Sequence, residues 1–324
     1  MVEPQLRVSV AELPAEIRLV AGYHLGWWDE AGTALTAAGG KAIRPALTLL
    51  AAEAVGGAAG AAVPAAVAVE LIHNFSLLHD DVLDGDDTRR HRPTAWRVFG
   101  VGPAVLAGDA LLIAAGRALT ASTHPAASEA MQMLSDATLD LLGGERADIA
   151  FEGRDAVGVA ECLAMVEGKT AALLASSCAV GGLLGGGDAA RVACLRDFGR
   201  ALGVAYQHVD DLLGIWGEPS ITGKPVHADL RSRKKTLPVV AALASGTPEG
   251  EEFAALYGQR RVLSDAELAH AAHLVEASGA RAWSQAQATL LFHQALEHLH
   301  AVAPATRAGA ELVALARLAA HRDR

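Results

Sequence analysis

The chain has 324 residues, a formal net charge of −10, and 52% hydrophobic but only 4% aromatic residues. That balance describes a folded acidic globular protein, and without a basic face or interleaved aromatics it makes nucleic acid a poor partner. Met1 to Val10 carries Glu3 and Arg7 without an apolar core, so it does not read as a secretory signal, and Cys162, Cys178 and Cys194 lack metal-binding spacing and read as reduced, packed thiols of a cytoplasmic protein.

From the N-terminus to about Gly40 the text is helical, with Pro14 at an early helix position and Trp27 and Trp28 as packing anchors. Gly39 to Pro45, GGKAIRP, follows. Its glycines let the backbone approach a bound group closely, and Lys41 and Arg44, three apart, share a face if a helix begins there. Ala46 to Val69 reads as two apolar helices separated by Gly56 to Pro64. Two segments resemble membrane spans, Ala51 to Ile72 and Thr170 to Gly187, but the first is interrupted by charge and proline and the second is short; both read as buried helices.

Leu71 to Thr94 is the stretch that concentrates the chemistry. Asp80, Asp81, Asp84, Asp86 and Asp87 fall within eight positions and are followed by Arg89, Arg90 and Arg92. If Ile72 to Asp84 is one helix, Asp80 and Asp84 are neighbours on its surface, about 5–6 Å apart at Cβ, and repel unless a cation lies between them. Carboxylates without Cys or His companions suit Mg²⁺, which completes its shell with water and phosphate oxygens. The interleaved Leu77, Leu78, Val82 and Leu83 indicate a helix that is mostly buried rather than a solvated acidic end.

Beyond Pro93 the text continues as a helix to about Ser122, a break at His124–Pro125, and a helix from Ser128 in which Glu145 and Asp148 are neighbours. Met165 to Gly182 places Lys169 and Thr170 at the head of an apolar helix. Phe198 to Gly217 carries Gln207, Asp210 and Asp211 within a helical apolar pattern, a second acidic element. A Gly/Pro-interrupted loop with Lys224, Asp229, Arg231, Arg233, Lys234 and Lys235 leads to a helix near Pro238, and from Ala241 amphipathic helices close the bundle. No strand alternation or fixed-period repeat is visible, so the expectation is an all-α single domain over 1–324.

Two acidic helices and dispersed cations describe a box for a diphosphate with an apolar shaft beneath it. These motifs resemble those of the trans-prenyltransferases, the polyprenyl diphosphate synthases, and geranylgeranyl diphosphate synthases in particular, from Gly39 to about Val240. The resemblance implies the isoprenoid synthase fold, a helical bundle around a central cavity, and a homodimer. It implies Mg²⁺-dependent condensation of isopentenyl diphosphate with an allylic diphosphate, with three ions when diphosphate is bound. By the same resemblance Asp80, Asp81 and Asp84 match the first DDxxD motif, with Asp80 and Asp84 on the metal. Arg89 would contact the allylic diphosphate, Lys41, Arg44, His73 and Arg90 would form the isopentenyl pocket, and Gly40 would be a further substrate-binding position. Lys169, Thr170, Gln207, Lys224 and Lys234 match further substrate positions, and Asp210, with Asp211, heads the motif for the third ion. That motif departs from the family in Gly214, where a third Asp is expected; Glu145 and His91 stand where Gln and Gly are common. Phe75, with Ser76 beside it, is the expected chain-length determinant and points to a C20 product, with C15 or C25 as neighbours. The rival readings are a terpene cyclase on the same scaffold and a non-catalytic partner subunit weakened by Gly214.

Overall fold

A computed structural model describes residues 1–35, 42–219, 225–259, 261–303 and 306–320. Its secondary structure is almost entirely helical, as the absence of alternating segments requires. The elements are α1 (Val2–Ala11), α2 (Ala15–His24), α3 (Ile43–Ala54), α4 (Val63–Leu83), α5 (Ala95–Phe99), α6 (Val101–Thr120), α7 (Ala127–Glu152), α8 (Val159–Val166), α9 (Ala172–Leu184) and α10 (Ala189–Trp216). There follow α11 (Ala228–Arg231), α12 (Leu237–Leu243), α13 (Pro248–Tyr257), α14 (Asp265–Ala277), α15 (Ala280–Val302) and α16 (Arg307–Ala320). Among the described residues the extended structure is an isolated bridge between Trp28 and Ala34 and a small antiparallel hairpin, β1 (Thr88–Arg89) with β2 (Arg92–Pro93), which period-two patterning cannot reveal because each strand is two residues long.

The chain forms two compact units. Unit one contains Met1–Thr138, Ser176–Arg196 and Leu299–Leu312. Its central element is α4, which opens with Pro64 in the first turn, where a missing N–H is tolerated, and contains no glycine to interrupt it. Gly85, at φ 67, ends the helical path. Leu71 and Leu78 are fully buried along it, each contributing about 1.5–3 kcal/mol over an exposed position. Helix α6 packs against α4 at Gly108: a Cβ there would collide with the His79 ring, whose Nε2 lies 3.0 Å from the Val105 carbonyl. Glycine therefore sets the separation of these helices.

Unit two contains Leu139–Ala175, Asp197–His298 and Val313–Arg324. One apolar cluster gathers Ile215, Leu230, Val239, Phe253, Tyr257, Leu268 and Val275. Another gathers Phe151, Cys162, Val166, Val204, Leu237 and Val240. Between α8 and α9 the residues Glu167–Ala171 form a π-helical turn, so Lys169 and Thr170 lie inside a continuous helical path rather than at a helix head. Such an extra residue per turn is frequent where function requires side chains to be re-aimed.

Three stretches are long and apolar enough to cross a membrane by length and composition: Ala59–Leu83, Val101–Thr120 and Val159–Leu184. The first and third are largely buried inside the protein, in keeping with the packed-helix expectation. The second is only 33% buried and exposes Val101, Leu106 and Ile113.

Candidate active site

In unit one the acidic residues divide by what they touch. Asp81 is 1% exposed, and its Oδ1 accepts the Arg89 Nε proton at 2.6 Å; Arg89 Nη2 also reaches Asp80 Oδ2 at 3.3 Å. Burial pushes the Asp81 carboxyl up to about 6 despite the attraction of Arg89. For Arg89, burial opposes the charge, but Asp81 and Asp80 outweigh it and hold the guanidinium above its ordinary value. Asp81 therefore orients Arg89, while Asp80 and Asp84, one turn apart, are the half-exposed acids of the helix end. The remaining acids are structural: the Asp86 carbonyl accepts from Thr94 Oγ1 at 2.8 Å and Trp96 Nε1 at 2.9 Å, and Asp87 pairs with Arg97 at 3.1 Å.

The hairpin explains the position of Arg89. Thr88 pairs with Pro93 and Arg89 with Arg92, and Arg90 and His91 turn between them at φ 53 and 61. Arg92 anchors the far strand, donating to the Tyr23 and Trp28 carbonyls at 3.0 and 3.1 Å.

Arg44 and His73, expected in one cationic pocket, meet: Arg44 Nη1 donates to His73 Nε2 at 3.2 Å. Burial, then Arg44 and Arg90, drive the His73 pKa well below its usual value, so the ring is neutral and Nε2 is the acceptor. Two residues that the motifs do not mark join this region. Glu70, three residues before His73 and so on its face, is held by Asn74, whose Nδ2 donates to the Glu70 carbonyl at 2.8 Å and to Oε1 at 3.1 Å. His24, with Tyr23, Asp81, Arg89, Arg90 and Arg92, lines a small pocket of about 130 Å³. The Glu-x-x-His spacing could have signalled Glu70; a lone histidine in an aromatic segment gives no signal.

Phe75 is 3% exposed and meets the His79 ring edge-on at 4.8 Å between centroids; neighbouring Ser76 is half-buried and donates to the His73 carbonyl at 2.9 Å.

In unit two, Thr170, Gln207 and Asp211 form one relay. Thr170 Oγ1 donates to Gln207 Oε1 at 2.7 Å, Gln207 Nε2 donates to Asp211 Oδ1 at 2.7 Å, and Asp211 Oδ2 accepts the Leu237 N–H at 2.8 Å. Asp211 is 4% exposed, and burial raises its pKa well above normal against these donors. Both of its oxygens accept protein N–H groups, so the protein itself holds this carboxylate in place. Asp210, by contrast, is exposed. Lys169 Nζ lies 2.6 Å from Asp148 Oδ2 and 2.9 Å from Glu145 Oε2, which gives the Glu145 departure a role as a counter-charge. The Lys234 N–H donates to the Asp229 carbonyl at 3.0 Å. Gly40, Lys41 and Lys224 lie outside the described residues.

The sequence pattern of the polyprenyl synthetase family matches residues 26–275. Two Mycobacterium tuberculosis proteins are each 47% identical to this chain. One is a (2E,6E)-farnesyl diphosphate synthase, aligned over 98% of this chain and 89% of its own, and the other a geranylgeranyl diphosphate synthase, aligned over 85% and 79%. A polyprenyl synthetase from Streptomyces coelicolor superposes with a TM-score of 0.93 at 44% identity, covering 98% of this chain and 96% of that one. With an all-α isoprenoid synthase fold, acids marshalled at helix α4 and a match over most of its length, the chain belongs to the polyprenyl synthetase family of prenyltransferases.

Proposed function

We propose that this enzyme condenses isopentenyl diphosphate head to tail with an allylic prenyl diphosphate and releases mainly C20 geranylgeranyl diphosphate. The observation that carries the reading is the end of α4, where Asp80 and Asp84 stand one turn apart and Asp81 fixes Arg89 beside them. This donor set fits Mg²⁺: Asp80, Asp84 and Asp210 offer only carboxylate oxygens, the ligands a hard cation prefers. Asp80 and Asp84 would hold ions on the allylic diphosphate and Asp210 a third. When bound, Mg²⁺ neutralises charge on the diphosphate and makes it a better leaving group.

The reaction breaks the allylic C–O bond, whose electron pair leaves with the diphosphate. The isopentenyl double bond then supplies the pair for the new C–C bond, and the proton lost to restore an alkene passes to the departed diphosphate. Arg89, clamped by Asp81 and Asp80, presents a fixed positive charge to the departing group without reorganising. Arg44, held in place by the neutral His73 ring, supplies a preassembled cation for the isopentenyl diphosphate, with Lys41 and Arg90 completing that pocket. Lys169, Thr170, Gln207, Lys224 and Lys234 provide further substrate contacts. Apolar walls keep water from the cation.

Phe75 supports a short product. It lies five residues before Asp80 on α4, roughly 7.5 Å along the helix axis, and its ring is fixed against His79, which in turn is held by Gly108 and Val105. Relatives named for C15 and for C20 products are equally similar in identity, so product analysis is decisive. Purified protein with Mg²⁺, isopentenyl diphosphate and dimethylallyl, geranyl or farnesyl diphosphate should yield C20. Asp80→Ala should abolish elongation with an unchanged melting temperature, and Phe75→Ala should lengthen the product. Wild-type protein that consumes prenyl diphosphate without incorporating isopentenyl units would instead be a cyclase. The exposed apolar residues of α6 support a homodimer.

A further inference from the structure

We propose that Arg92 is a positioning residue for the isopentenyl side of the reaction: its guanidinium staples the β1–β2 hairpin to the end of α2 and so holds Arg90, while Arg89 is held independently. The inference rests on the prenyl-transfer reading above and adds to it a residue whose side chain is directed at protein rather than substrate.

The two ends of the hairpin are secured differently. At its base the Thr94 N–H donates to the Asp87 carbonyl at 3.0 Å and Thr94 Oγ1 to the Asp86 carbonyl at 2.8 Å. Beside the Arg90–His91 turn the hold comes from Arg92. Its Nη1 donates to the Tyr23 carbonyl at 3.0 Å, its Nη2 to the Trp28 carbonyl at 3.1 Å, and its guanidinium carbon lies 4.2 Å from the centre of the Tyr23 ring. Tyr23 Oη completes the link by donating to the Pro93 carbonyl at 2.9 Å. The acceptors are themselves fixed: Tyr23 is 3% exposed in the last turn of α2, and Trp28 Nε1 donates to the Leu19 carbonyl at 2.8 Å. A planar guanidinium fork reaches two carbonyls at once, which the compact ammonium of lysine cannot reproduce.

The two arginines of the hairpin depend on this staple unequally. Arg89 has its own clamp, Asp81 at 2.6 Å and Asp80 at 3.3 Å. Arg90 stands at φ 53, a backbone state that a residue with a side chain keeps only where its surroundings impose it. Glu70 and Asp81 attract it from a distance, but among the described residues no ion pair holds its guanidinium. The hairpin therefore places Arg90, and Arg92 secures the hairpin next to it. Loosening Arg92 lets the turn relax and carries Arg90 away, while Arg89 stays on its carboxylates.

The test is steady-state elongation by full-length protein with Mg²⁺, varying isopentenyl diphosphate and geranyl diphosphate in turn. Arg92→Lys should raise the KM for isopentenyl diphosphate about 10–100-fold, the scale on which an ångström of misplacement acts, and keep the KM for geranyl diphosphate within about twofold of wild type. Tyr23→Phe, which removes the bond to Pro93 and keeps the ring beneath Arg92, should raise the same KM by less. A merely structural role gives no such split: it lowers the melting temperature, and any loss of activity falls on both substrates alike. The proposal is overturned if Arg92→Lys leaves the isopentenyl KM at its wild-type value or raises both KM values equally. Should Arg92→Lys not fold, Tyr23→Phe decides on the same split. If wild type elongates and the variants show no split, only the role of Arg92 is lost; if wild type incorporates no isopentenyl units, the prenyl-transfer reading fails and this one with it.

Discussion

Arg90 and His91 occupy the two central positions of the β1–β2 hairpin at φ 53 and 61, the sense of a type I′ loop. Left-handed backbone costs a side-chain-bearing residue about 1–2 kcal/mol, and glycine adopts it freely at some entropic expense. His91→Gly should therefore stabilise the protein by about 0.5–1 kcal/mol, read from urea denaturation. Arg90 cannot be relieved in the same way, because it is one of the cations assigned to substrate. Ala42, His227 and Arg233 share this left-handed backbone. Other residue roles differ in how clearly sequence marks them. Arg44 with His73, and Thr170 with Gln207, are flagged by motif and meet as side chains. Asp81 and Asp211 look identical to their neighbours Asp80 and Asp210 in a motif. Whether each carboxylate faces an ion or a protein donor depends on helical phase and on distant partners, the Arg89 guanidinium and the Leu237 N–H.

Among elements, the path from α8 through the π-helical turn to α9 shows how small residues govern close packing. A Cβ on Gly144 of α7 would lie 2.8 Å from Lys169 Cα and from the Met165 carbonyl, and one on Gly168 would lie 2.7 Å from the Asp140 carbonyl. This contact brings Lys169 to Glu145 and Asp148. Gly143, next along α7, is exposed and has no atom within 4 Å of its Cβ position. The neighbours should respond oppositely to alanine. Gly143→Ala should stabilise by up to about 1 kcal/mol through helix propensity, whereas Gly144→Ala should destabilise by about 1–3 kcal/mol through overpacking; paired denaturation curves check both. Propensity alone treats both glycines as equivalent defects. The helix boundaries themselves are readable in apolar periodicity and in breaks such as Gly56 to Pro64, but the π-helical turn is not, because its extra residue leaves the local composition unchanged.

For the whole molecule, α6 presents the clearest unassigned apolar surface: Leu106 and Ile113, two turns apart, are 56% and 67% exposed. If a second copy covers it, as the proposed homodimer requires, Ile113→Glu should shift the mass measured by light scattering from dimer toward monomer while leaving helical content intact. An unchanged mass would place the contact elsewhere. The all-helical character follows from periodicity along the chain, but the division into two compact units does not, because each is assembled from separated segments. Unit one closes with Leu299–Leu312, whose Leu299 and Leu312 are buried and whose Arg307 reaches back to Glu53 of α3 at 2.7 Å. Its aliphatic interior thus lacks one wall during translation until the Leu299–Leu312 segment has emerged. A nascent chain in that condition is a natural client for holdase chaperones, and its yield in a cell depends on how quickly the last helices emerge.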